Sequence, residues 1–73
     1  MNAKEMFEEL GYKYHNYAGY ISYQKDMPNK VTYFIAFDYK DRTVTKHQVS
    51  DRYLSITIPE LKAINKQIEE LGW

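Results

Sequence analysis

Seventy-three residues with ten Lys or Arg, ten Asp or Glu and no cysteine make one small domain, residues 1–73, with a thin core. The zero net charge argues against strong nonspecific attraction to nucleic acid or anionic membrane, and the missing cysteine excludes a disulfide framework, a thiolate metal site and a Cys nucleophile. No apolar run reaches membrane-spanning length, and the opening MNAKEMFEEL is acidic where a secretory signal would be apolar, so a cytoplasmic protein is expected.

Residues 2–12, NAKEMFEELGY, predict a short helix. Asn2 can cap its free amides, and Glu5, three residues on, can reach back in a capping box. Met6, Phe7 and Leu10 fall on one face. Gly11 suits the left-handed position that ends a helix, and Tyr12 is then expected to touch Phe7. The chain closes on nearly the same letters, IEELGW after FEELGY. Gly72 is read as the same stop, with Trp73 turned back on Ile68. Both endings answer one need, satisfying the last helix carbonyls, so no functional repeat is inferred.

Between the helices the composition turns β-branched and aromatic. Tyr20 to Lys25, Val31 to Asp38 and Thr43 to Ser50 are predicted strands, with turn chemistry at residues 26–30. Tyr12 to Gly19 offers an extended piece interrupted by Asn16 and Gly19. The first hairpin is expected to set Ile21 near Ile35 and Tyr23 near Tyr33. A four-residue loop, Tyr39 to Arg42, then brings Val44 beside Phe37. The last helix starts at Thr57 and Glu60 in S/T-x-x-E spacing, with Pro59 in the first turn and Ile56 and Leu61 in staple positions. Leu61, Ile64, Ile68 and Leu71 form its apolar stripe, with Gln67 and the Glu69-Glu70 pair on the wet side. The expected fold is α+β, α-β-β-β-α: a three-stranded antiparallel meander with both helices on one face, because connections this short cannot cross over.

Ala3-Lys4-Glu5-Met6-Phe7 with Leu10-Gly11-Tyr12, and Ile56-Thr57, Glu60-Leu61, Ala63-Ile64 and Leu71-Gly72-Trp73, resemble a group of small uncharacterised phage and prophage proteins of Gram-positive bacteria. The resemblance implies an accessory protein acting inside a bacterial cell, and it carries over no catalytic or binding residue.

The residues themselves argue against chemistry. His15 and His47 lie in different elements without ligand partners at metal-binding spacing. Ser22, Ser50 and Ser55 lack a nucleophile-elbow setting, and three glycines supply no phosphate-cradling loop. No catalytic residue, metal or cofactor is expected. The eight tyrosines suit both a wet-edged core and an interface. The pairing above places Tyr20, Ser22, Phe34, Ala36, Thr45 and His47 on the sheet face that the helices leave open. That face is the candidate site, for a protein partner or a second copy of the chain. The alternative is nucleic acid, since residues 13–53 hold seven Lys or Arg against four acids and a basic aromatic sheet can stack bases. VTYFIAFDY nevertheless lacks the glycine and the basic residue of an RNA-recognition strand.

Overall fold

A computed structural model describes residues 1–28, 30–48 and 54–73. Six elements follow in order: α1 (Ala3–Glu9), β1 (Lys13–Asn16), β2 (Tyr20–Asp26), β3 (Thr32–Asp38), β4 (Thr43–His47) and α2 (Ile58–Leu71). The strands form one antiparallel sheet in the order β1-β2-β3-β4. The α+β class and the meander are as expected, but there are four strands, not three. The missed strand is β1, which pairs Lys13 with Gln24 and Asn16 with Ile21. KYHN has no β-branched residue, so composition hid it. Val49, Ser50 and Tyr53 lie outside the described residues, as does Asn29 of the first turn.

Both helices start as their sequences dictate. The Asn2 side chain accepts from Glu5 N–H at 2.8 Å, and Glu5 Oε1 accepts from Asn2 N–H at 3.1 Å. Thr57 and Glu60 repeat the box at 3.2 and 2.9 Å. Ile56 and Leu61, the expected staple, both stay largely exposed. The two endings also match: Tyr12 N–H donates to the Phe7 carbonyl and Trp73 N–H to the Ile68 carbonyl, around Gly11 at φ +91° and Gly72 at φ +73°. Only one stop is crowded. A Cβ at Gly11 would lie 3.3 Å from Lys25 Cε, whereas one at Gly72 would meet nothing within 4 Å.

The hairpin registers position everything else. β3 and β4 pair Phe37 with Val44 across the loop of residues 39–42, as the sequence predicts. In the first hairpin Ile21 faces Phe37 and Tyr23 faces Ile35, a shift of two residues from the expected pairing. A two-residue shift keeps every side chain on its expected face. The turn has moved rather than lengthened: β2 runs on to Asp26, paired with Thr32, and Met27 N–H bonds the Val31 carbonyl at 2.8 Å, so residues 27–31 make the connection in place of residues 26–30.

The core lies between the sheet and the two helices. Phe7 of α1 stacks on Tyr23 with centroids 3.9 Å apart and meets Tyr12 and Phe37 edge-on. Ile21, Ile35, Ala63 and Ile64 complete the cluster. Both helices therefore cover one face of the sheet. They run antiparallel, because Ala3 at the start of α1 donates its N–H to Glu70 near the end of α2, at 2.8 Å. Glu70, expected to be simply solvated, thus satisfies a free helix amide.

The face that α2 buries is only partly the expected one: Ile64 is buried and Ile68 and Leu71 pack on the core as expected. Leu61 is 43% exposed, while Glu60, Ala63, Ile64 and Gln67 are buried. The rotation follows from two tyrosine hydroxyls. Tyr12 donates to Glu60 Oε2 and Tyr23 donates to Gln67 Oε1. Burying a polar side chain is tolerable when a partner meets it, so these two bonds set the face of the helix.

Candidate interaction face

The outer side of the sheet carries alternate residues of all four strands. Cross-strand pairing aligns His15, Ser22, Ala36 and Thr45 in one row, and Lys13, Gln24, Phe34 and His47 in the next. Tyr20 stands beyond the first row, paired with Asp38. All six candidate residues, Tyr20, Ser22, Phe34, Ala36, Thr45 and His47, therefore share one face.

Their exposure differs. Tyr20 is 40% exposed, Thr45 and His47 are exposed, and Phe34 and Ala36 are half-buried. Ser22 is 3% exposed. The cover over Ser22 is Tyr17. Its ring stacks on Tyr20 at 4.7 Å, and its hydroxyl accepts from Gln24 Nε2 at 3.2 Å. Tyr20 and Gln24 flank Ser22 on β2, so a ring joining them lies over the serine. Phe34 is not bare either. It stacks on His47 with centroids 4.9 Å apart and planes within 12°, so its ring is partly covered within the chain.

His15 and Tyr17 belong to the face as well, their rings stacked at 6.2 Å. Missing β1 hid them. The available signal was the two-residue turn Ala18-Gly19 between Tyr17 and Tyr20, closed by the Tyr17 N–H to Tyr20 carbonyl bond at 2.9 Å.

Two of the three lysines in the strands are turned away from this face. Lys46 faces the helices, where its Nζ bonds Glu60 at 2.8 Å and the Ser55 carbonyl at 2.6 Å. Lys25 is on the same inner side, with Nζ 5.6 Å from the Tyr12 ring centroid. Lys30, Lys40 and Arg42 sit in the turns. Arg52 lies outside the described residues. Within the strands, Lys13 is the one basic residue in an outward row, against Asp26 and Asp38.

The inner side holds the perturbed groups. The Lys46 ammonium and the Tyr12 hydroxyl hold the Glu60 carboxyl below the usual carboxylate range, against the opposing effect of its burial. Burial, then the neighbouring Glu60, pushes the Tyr12 hydroxyl well up, and burial does the same to Tyr23. These groups join β4, α2 and the exit of α1, and they serve the fold. Among the described residues no three His, Asp or Glu side chains converge as a metal site would require, and no helix is long and apolar enough to cross a membrane.

Comparison of the chain with models of protein families, with curated proteins and with solved structures gives no match.

Proposed function

We propose that this protein works by binding protein rather than by catalysis, through the open face of its sheet, and that the occupant is first of all a second copy of the chain. The observation that carries the reading is the pairing of an aromatic surface, Tyr17, Tyr20, Phe34 and His47, with Lys25 and Lys46 turned to the other side. Interfaces concentrate aromatic side chains and deplete lysine. A nucleic-acid platform needs cations beside its aromatics, and Lys25 and Lys46 lie on the inner face. Two such sheets stacked at about 10 Å, the usual spacing of a sheet sandwich, would cover Tyr20, Phe34 and Ala36 in both copies. A phage or prophage accessory role inside a bacterial cell accords with the resemblance in the terminal segments.

Sedimentation from 10 µM to 1 mM, in wild type and in the Phe34→Asp and Tyr20→Asp variants, tests this. Concentration-dependent dimers that both variants lose, with helicity retained, are expected. A monomeric wild type across the whole range would remove the second copy as occupant. Binding of a labelled oligonucleotide with a steep salt dependence would replace the protein reading altogether.

A further inference from the structure

The two edges of the sheet are finished differently. Antiparallel ladders alternate between residues bonded to the neighbouring strand and residues whose N–H and C=O point away from it. The Tyr17 to Tyr20 bond fixes the phase: His15 and Lys13 bond inward to β2, while the backbone groups of Tyr14 and Asn16 point out of the sheet. At the far edge the same alternation turns out Val44 and Lys46. On that side Lys46 Nζ is engaged by the Ser55 carbonyl and the Glu60 carboxylate. Beside β1 there is instead a cleft of about 450 Å3 between strand and helix, lined by Lys4, Glu8, Gly11, Tyr12, Lys13 and Tyr14.

We propose that β1 and this cleft take an extended acidic peptide of a partner protein as a fifth strand. Strand addition draws its affinity from main-chain bonds and its selectivity from pockets for alternate side chains. Both parts are present here. Tyr14 and Asn16 supply donors and acceptors at strand spacing, and a residue paired beside Tyr14 would send its side chain toward α1, into the cleft. The residues on either side of it would emerge beside Lys13 and His15.

Charge selects the peptide. Lys4 Nζ lies 5.4 Å from the Tyr14 ring centroid and Lys25 Nζ 5.6 Å from that of Tyr12. Lys4 and Lys13 line the cleft against the single carboxylate of Glu8, and Lys25 lies next to its Gly11 and Tyr12 wall. Among the described residues none of the three is in an ion pair. A chain with no net charge thus gathers lysines without ion-pair partners beside the β1 edge. This site is separate from the open face, and neither reading depends on the other.

The test uses the full chain and three labelled octapeptides: alternating Val and Glu, alternating Val and Lys, and the Val-Glu peptide N-methylated at alternate residues. Binding is followed by fluorescence anisotropy and by amide chemical shifts. The Val-Glu peptide is expected to bind measurably at 1 mM and to shift Tyr14 and Asn16. The Val-Lys peptide should bind at least about tenfold more weakly, and the N-methylated one not at all. Asn16→Pro removes an outward N–H and leaves the inward ladder intact, so it should abolish binding while β2, β3 and β4 keep their shifts. If that variant fails to fold, the N-methylated peptide decides. The proposal is overturned if the Val-Glu peptide leaves Tyr14 and Asn16 unmoved at 1 mM, or if the Val-Lys peptide binds equally well. It is also overturned if the shifts fall on Tyr20, Phe34 and His47, which would make the open face the peptide site. Protection of Tyr14 and Asn16 in a free dimer would give the edge to a second copy instead.

Discussion

The two faces of this sheet use the same side chains to opposite ends. On the inner face Tyr12 and Tyr23 are buried, and each hydroxyl is donated to a side chain of α2. On the outer face Tyr17 and Tyr20 stack on each other, each about two-fifths exposed. A high tyrosine count is thus two separate signals. Buried tyrosines that end in a hydrogen bond specify how a helix docks, because a displaced helix would strand buried polar groups. Stacked tyrosines at a surface give a stiff contact area that loses little entropy when covered.

If the division holds, inner-face changes cost stability and outer-face changes cost association. The largest loss is expected for Glu60→Ala. It strands the Lys46 ammonium, which is 9% exposed at its side chain, and removes the reciprocal cap of α2. Urea unfolding should show a loss of about 3 to 5 kcal/mol, the range for breaking one side of a buried pair. The same group sets an acid limit. Its folded pKa is depressed, so its stabilisation is complete above the unfolded carboxylate pKa and fades as pH falls through the folded value. Tyr12 and Tyr23 set an alkaline limit. Their folded pKa values are raised, so their contribution is complete below the ordinary tyrosine pKa and fades as pH rises beyond it. Stability measured against pH should fall at both ends, and Glu60→Gln should flatten the acid side.

A smaller effect is expected for Tyr23→Phe, which keeps the stack on Phe7 and leaves the Gln67 oxygen without its donor. The expected loss is about 1 to 3 kcal/mol, read from the same urea curves. Smaller again is Tyr20→Ser on the outer face, expected to stay within about 0.5 kcal/mol of wild type. A loss at Tyr20 as large as that at Tyr23 would dissolve the contrast between the faces.

Most of the local chemistry was legible in the sequence, the Ile56–Leu61 staple and the first hairpin turn excepted. Asn2 with Glu5, Thr57 with Glu60, the two glycine stops and the loop of residues 39–42 all act over a few positions, and all are as expected. What else escaped depended on distant pairs. Gln67 read as the wet side of α2 and Glu60 only as a cap, until Tyr23 and Tyr12, 44 and 48 residues away, are seen to meet them. Tyr12 to Gly19 read only as an interrupted extended piece, without the strand Lys13–Asn16, because its alternation runs between tyrosine, histidine and asparagine rather than between apolar and polar residues. The six outer-face candidates came out on one face because the error in the first hairpin was two residues, an even number. His15 and Tyr17 were lost with the strand that carries them.

The central claim is that association belongs to the outer face and architecture to the inner one. Amide chemical shifts recorded from 50 µM to 2 mM protein test it directly. The expected result is concentration-dependent movement at Tyr17, Tyr20, Phe34, Ala36, Thr45 and His47, with Ala63, Ile64 and Gln67 fixed. Movement centred on α2, or none at any residue across that range, would contradict the account.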